Sequence, residues 1–295
     1  MWTWFQRKAV GTPSTSAIVQ NVPEFVFRVK ASVLTDTGMR EANEDAVCVQ
    51  THPDPRLRTV RMVGLADGMG GHSAGEVASR LCLDACCEIL RKGSARHLEL
   101  TLLEALHGSN QAVWQAAKAD ASLNGMGTTL CLLAFQDDRC WFAWVGDSRV
   151  YRLRDGVLQQ LTHDDTVVNA LLAQGVLNPD EAECHPESHV LSQALGTSPE
   201  LARPHVGGPE TLQHDDLFLL TSDGVHDVLN TEQIADLLGP DIHASGQRLI
   251  SQAKLAGSQD NLSAVVVHVQ RQLSEPLNNH DPSKKVTTVE AEPCE

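Results

Sequence analysis

Apolar residues along this chain come in short runs of strand-like composition, bounded by glycine, proline and aspartate. EFVFRVKASVLT, DAVCVQ and VRMVGLAD read as three successive strands, with THPDPRLRT as a loop between the second and third. The period then changes. Val77, Leu81, Ala85 and Ile89 recur at helical spacing, as do Leu98, Leu102, Ala105, Leu106, Ala112, Val113 and Ala116, which predicts two consecutive amphipathic helices. After Gly125 and Gly127 strands return as TTLCLLAF, RCWFAWVGD, RVYRLR and VLQQLT, and Asp155-Gly156 between the last two is a type I′ hairpin signal. From Asp164 to about Gly196 the pattern is mixed, with a short helix around Val167 to Leu172 and a His/Pro/Glu-rich stretch that suits a mobile flap over a site. DDLFLLTSD is the next strand. Ile234, Leu237 and Leu238, then Leu249, Ile250 and Ala253, mark two more helices, the first capped by Asn230, and NLSAVVVHV closes the series.

Strands, a helix pair, strands, a helix pair and a last strand do not alternate as βαβ. That order predicts an α+β fold, an antiparallel β-sandwich flanked by helix pairs in four α-β-β-α layers, over a doubly wound parallel sheet. Residues 24–271 form the expected domain, with 1–23 a flexible extension and 272–295 a disordered tail rich in polar residues.

Charge narrows the partners. With 23 basic against 38 acidic residues, net −15, and no Lys/Arg cluster, a nucleic-acid backbone is repelled, and 4% aromatics offer no base-stacking platform. The eight cysteines show no paired zinc spacing and no CxxC, and most sit inside apolar runs, so they read as reduced, buried small hydrophobes. MWTWFQRKAV lacks the apolar stretch of a signal peptide and no segment is long and apolar enough for membrane insertion, so a cytoplasmic location is expected. A monomer is also expected.

The chemistry concentrates at four aspartates: Asp67 in GLADGMGGH, Asp147 in FAWVGDS, Asp223 in LFLLTSDG and Asp260 in GSQDNLSAVVVHV. Three end an apolar run and the fourth begins one, so a β-rich fold would gather them at one rim of its sheets. An isolated Asp-Gly is an ordinary turn. Four acids placed alike at strand ends, without matching cations, point instead to hard divalent ions such as Mg²⁺ or Mn²⁺, with a glycine beside the ligand letting its carbonyl approach. Two such ions lower the pKa of a shared water and clamp in-line attack on phosphorus.

The segments Arg40 to Ala46, ADGMGGHSAGEVAS, GMGTTL, VGDSRVYRLRDG, SQALG, TSDGVHDVL and Gln259-Asp260-Asn261 resemble, in order, the motif series of metal-dependent (PPM, type 2C) protein Ser/Thr phosphatases in their bacterial form, over roughly residues 28–270. The resemblance implies hydrolysis of phosphoserine and phosphothreonine on phosphorylated protein substrates by a metal-bridging water or hydroxide, opposing a cognate Ser/Thr kinase. It implies two Mn²⁺ or Mg²⁺ ions and a third, weaker one described in bacterial members. Carried over, Asp67 bridges two metals and the Gly68 carbonyl binds one of them. Asp223 and Asp260 hold the other, Asp147 the third, and Glu44 and Asp45 act mainly through metal-bound water. Arg40 grips the phosphate with its fixed fork of donors. Animal members have a histidine after the Asp-Gly pair as proposed general acid. Met69 stands there in this chain, as in bacterial members, so the general acid is unassigned: His72, three residues on, is one candidate and water on a metal is the other.

Two other readings compete with this expectation. Gly71 to Gly75 spell a GxSxG around Ser73, the elbow of an α/β-hydrolase, but Asp67 to Gly70 separate it from the strand, and no HGGG-like segment or parallel βαβ order accompanies it. A non-catalytic scaffold of the same fold is expected to lose one or more of the acids, and here all are present.

Overall fold

The computed structural model describes residues 25–52, 59–70, 74–93, 97–183 and 185–273. The expectations for residues 1–23 and for most of the tail, together with His72, Ser73, Cys184 and Cys294, lie outside these residues. Val26–Gln272 form one folded unit.

Among the described residues eleven strands make two sheets. One has the order β1 (Phe25–Asp36), β11 (Leu262–Leu273), β10 (Leu217–Thr221), β7 (Arg149–Arg154) and β8 (Val157–Gln160). The other runs β2 (Asp45–Thr51), β3 (Val60–Met69), β5 (Leu130–Gln136), β6 (Arg139–Val145) and β9 (His205–Thr211), with the two-residue β4 (Gly127–Thr128) beside β3. Strand β10 pairs antiparallel with β11 and β7, and β2, β3, β5, β6 and β9 pair antiparallel in turn. That antiparallel arrangement removes the parallel scaffold a GxSxG elbow requires.

The unbroken apolar runs exist because both faces of the central strands are covered. Cys131, Leu133 and Phe135 of β5 join Phe218 and Leu220 of β10 and Val265 and Val267 of β11 in the layer between the sheets. Alternate residues point the other way. Leu130, Leu132 and Ala134 pack under α1 (Ala74–Lys92) and α2 (Leu98–Ala119), while Leu219 and Val266 pack under α6 (Thr231–Leu237) and α7 (Ile242–Leu255). Three apolar layers therefore separate four layers of secondary structure, as the sequence predicts.

Several local predictions are met in detail. Asp155 (φ 50°) and Gly156 (φ 77°) both adopt the positive φ of a type I′ turn between β7 and β8. The side chain of Asn230 accepts from the Gln233 amide while the Gln233 side chain accepts from the Asn230 amide, a full capping box on α6. The short helix α3 spans Val167–Ala173, followed by α4 (Pro179–Glu183).

Two expectations shift. The row of α1 that packs deepest is Ala78, Cys82 and Cys86, with Val77, Leu81, Ala85 and Ile89 only half-buried beside it. Cysteine and alanine fit the close approach of this helix to the sheet. Strand β9 is absent from the sequence reading because Gly207-Gly208-Pro209 argues against a strand. It lies at a sheet edge, beside β6, where proline is tolerated.

Phe218, fully buried and edge-on to Phe135 at 5.9 Å, ties the two sheets together. Phe218→Ala is expected to cost about 3–5 kcal/mol, and Asn230→Ala about 1 kcal/mol, each read from the urea midpoint. Equal effects of the two substitutions would contradict the layer assignment.

Candidate active site

The strand registers bring the acids to one rim. Thr221, the last residue of β10, pairs with Arg149 at the start of β7 and Ala264 near the start of β11, so Asp147, Asp223 and Asp260 emerge at the same end of that sheet. In the other sheet Asp45 and Asp67 are direct cross-strand partners on β2 and β3. Asp223 begins the single-turn helix α5 (Asp223–His226).

A cleft of about 770 Å³ opens here, lined by Arg40, Glu44, Asp67, Gly68, Asp147, Asp223 and Asp260, with Val190 and Leu191 from the segment after α4. Asp45 is buried beneath it. Every sequence-predicted site residue among the described ones is thus at this rim.

Backbone contacts explain how the acids are held. Thr128 Oγ1 donates to the Asp67 carbonyl (2.8 Å), the Thr129 amide donates to the same oxygen (2.9 Å), and the Asp67 amide donates to Thr129 Oγ1 (2.9 Å). The GMGTTL motif is therefore a clamp on Asp67. Gly68 has no room for a side chain: a Cβ would collide with the carbonyl of Gly75 on α1, and one on Gly75 would lie 2.6 Å from the Glu44 carboxyl carbon. Ser79 Oγ donates to the Glu44 carbonyl (2.6 Å), fixing the same approach. Asn261, quoted by sequence only within a motif, organises the Arg40 loop. Its Nδ2 donates to the carbonyls of Thr37 and Ala42 (both 2.9 Å), and its Oδ1 accepts from the Glu44 amide (2.8 Å). Ser222, also unremarked in the sequence, donates to Asp45 Oδ2 (2.8 Å). Buried short polar residues of this kind give no periodic signal.

Crowding sets the electrostatics. Burial, then the neighbouring Asp45, Asp223, Asp147 and Asp260, push the Asp67 carboxyl well above the usual carboxylate range. Burial and then Asp223, Asp164 and Asp227 raise Asp147 to about 7. Burial and then Asp260, Asp227 and Asp45 raise Asp223 to about 7. Asp45 rises to about 6, mainly by burial.

Among the described residues no three His, Cys, Asp or Glu side chains already close on one point. Asp260 Oδ2 instead accepts from Arg40 Nη2 at 2.6 Å, joining two residues to which the family resemblance assigns separate tasks. The donor set nevertheless fits divalent cations. Asp45 Oδ1 and Asp223 Oδ1 are buried with no hydrogen bond, an arrangement that is costly unless a cation or water completes it. All the side-chain donors are carboxylate oxygens, and Mg²⁺ or Mn²⁺ retains several waters alongside such ligands.

Two antiparallel sheets between helical layers, with a carboxylate cleft at one rim, define the class, and comparison with known proteins gives its family. Residues 40–266 match the family described as Protein phosphatase 2C. The serine/threonine protein phosphatase PstP of Mycobacterium tuberculosis is 38% identical over 80% of this chain, which spans 44% of that protein. The protein phosphatase PhpP of Streptococcus pneumoniae is 33% identical over 84% of this chain and 100% of its own length. Among solved structures, M. tuberculosis PstP/Ppp superposes with a TM-score of 0.72 at 36% identity, covering 83% of this chain and 99% of that one. The S. agalactiae serine/threonine phosphatase gives 0.74 at 29% identity, covering 81% and 98%. The chain belongs to the protein phosphatase 2C family.

Because each raised carboxyl lies above the ordinary 3.8, the folded apoprotein holds more protons than the unfolded chain between about pH 4 and 7, so stability falls as pH rises through that window. In EDTA the Tm is expected to be lower at about pH 8 than at about pH 5, and Asp147→Asn to raise the Tm at the higher pH and narrow the gap. Unchanged thermal melts for Asp147→Asn would show that burial and the neighbouring acids do not disfavour the charge on Asp147.

Proposed function

We propose that this chain is a metal-dependent protein serine/threonine phosphatase, with residues 24–271 as its catalytic domain. The carrying observation is a single cleft in which Arg40 stands beside Asp67, Asp147, Asp223 and Asp260, with carboxyl oxygens of Asp45 and Asp223 left unpartnered. A structure of the PstP catalytic domain in complex with two manganese ions, 35% identical to this chain, supports the same use of the cleft.

In this reading Asp67, the Gly68 carbonyl, Asp223 and Asp260 would hold two divalent ions, Asp147 would help hold a third, weaker one, and Glu44 and Asp45 would act mainly through water. When bound, Mn²⁺ or Mg²⁺ supplies a water of lowered pKa and offsets the charge on the phosphate. The chain's own residues do the rest. Burial of Asp67, Asp147 and Asp223 makes their negative charge unfavourable until a cation offsets it. Arg40, exposed at the cleft, presents a planar donor fork suited to a phosphate. His72 remains one candidate proton donor on sequence grounds alone. The substrates in this reading are phosphoproteins made by an opposing Ser/Thr kinase, and the protein acts as a cytoplasmic monomer. No helix among the described residues is long and apolar enough to cross a membrane.

Hydrolysis of p-nitrophenyl phosphate and of a phosphothreonine peptide is expected to require Mn²⁺ or Mg²⁺, to stop in EDTA and to be lost in Asp67→Asn. Turnover that survives EDTA, or folded protein inert with Mn²⁺, would refute the assignment. Arg40→Ala is expected to raise KM about ten-fold or more, the size of a lost charge-assisted hydrogen bond, with a smaller change in kcat. A fall in kcat alone would remove Arg40 from phosphate binding.

A further inference from the structure

Asp147 leaves the sheet through Gly146, a glycine at φ 96°, and the neighbour that fixes this turn is a second acid, Asp165. Asp165 holds Gly146 from both sides: its amide donates to the Gly146 carbonyl (3.0 Å), and its Oδ2 accepts from the Gly146 amide (3.1 Å). The remaining oxygen, Oδ1, lies 2.9 Å from His205 Nε2. His205 in turn stacks on Trp144 at 4.7 Å and 13°, and His163 sits edge-on to both rings. Trp144 Nε1 donates to the His163 carbonyl (2.8 Å), so the aromatic support is itself tied to the segment carrying Asp165.

The same acid reaches the cleft wall. The Ser192 amide donates to the Asp165 carbonyl (2.7 Å), directly after Val190 and Leu191, which line the cleft. Gln193 Nε2 approaches Asp165 Oδ2 at 3.4 Å, and Gln193 is locked by two 2.7 Å hydrogen bonds to the backbone of Arg203. Asp165 is only 7% exposed. A buried acid with both oxygens engaged, gripping one glycine by its amide and carbonyl, is a fixed strut. Its partners come from three places in the chain, the Gly146 turn, the Ser192–Gln193 segment and β9 through His205, and Trp144 of β6 supports the last.

We propose that Asp165, oriented by His205, is a positioning residue that sets the approach of Asp147 to a divalent cation and ties that approach to the Val190–Leu191 wall. This rests on the reading of Asp147 as a metal ligand. Outer partners of metal ligands contribute through orientation, and their loss typically weakens metal binding about 10- to 100-fold. His205 holds the carboxylate so that the other oxygen meets the Gly146 amide.

The test is Mn²⁺ binding to the EDTA-stripped full chain, followed by calorimetry and by the electron paramagnetic resonance of free Mn²⁺, with Asp147→Asn as the reference. Asp147→Asn is expected to remove or weaken one Mn²⁺ binding step. Asp165→Ala and His205→Ala are expected to weaken that same step by about 10- to 100-fold and leave tighter binding in place. Asp165→Asn and His205→Gln, which keep hydrogen-bonding groups at these positions, are expected to recover most of it. A merely structural role would lower the Tm without singling out that step. Wild-type Mn²⁺ binding in Asp165→Ala and His205→Ala, with the step lost in Asp147→Asn, overturns the inference alone. Wild-type binding in Asp147→Asn overturns the reading of Asp147 and the inference with it. If Asp165→Ala does not fold, His205→Ala, which leaves the carboxylate in place, decides.

Discussion

Asp45 and Asp67 stand opposite one another across β2 and β3, and like charges in that position destabilise a sheet pair. Everything around them is arranged to hold this pairing against its own repulsion. Apolar residues bury β3 on both faces: Val63 and Leu65 face the opposite sheet, while Met62 and Ala66 face the helices. Fully burying one such side chain contributes about 1.5–3 kcal/mol, so a few of them offset an unfavourable carboxylate pair at the strand's end. The acids can therefore stay crowded without a cation, with the penalty appearing as raised pKa values rather than as a displaced strand.

The second requirement is that backbone atoms come close. Gly68 and Gly75 bring β3 and the start of α1 together where a methyl group on either would collide with its neighbour. This contact places Gly68 in the cleft wall, and Ser79 holds the Glu44 carbonyl beside it. The deepest row of α1 continues the theme with Ala78, Cys82 and Cys86. Small residues along one helix thus set the helix-to-sheet distance, and that distance positions one end of the site.

The four-layer fold is legible because its determinants are repeated: central strands buried on both faces produce long apolar runs, and helices produce a 3.6-residue period. The acids are legible for a different reason, since they interrupt apolar runs at strand ends. What the sequence conceals is non-periodic. Asn261 and Ser222 are single buried polar residues whose partners lie up to 224 positions away, and no local pattern reveals such bonds. Strand β9 is hidden by Gly207, Gly208 and Pro209, a composition that only an edge position permits. The packing row of α1 is offset by one residue because the larger Val77, Leu81 and Ile89 dominate the helical period, while the row that packs deepest consists of the small Ala78, Cys82 and Cys86.

The Arg40–Asp260 ion pair shows how such a cleft remains responsive. The side chains are 58% and 35% exposed, so despite its 2.6 Å length the contact is a surface ion pair, worth about 0–1 kcal/mol. A dianionic phosphate offers Arg40 charge-assisted bonds in bidentate geometry, roughly twice as strong as neutral ones. A divalent cation offers Asp260 a closer and larger opposite charge than a guanidinium. Under the proposed function each partner would gain by exchange, because a cation held by Asp260 would release Arg40 to a phosphate. The deeply held acids Asp45 and Asp67 have no such alternative partner, which separates a rigid floor from an exchangeable rim.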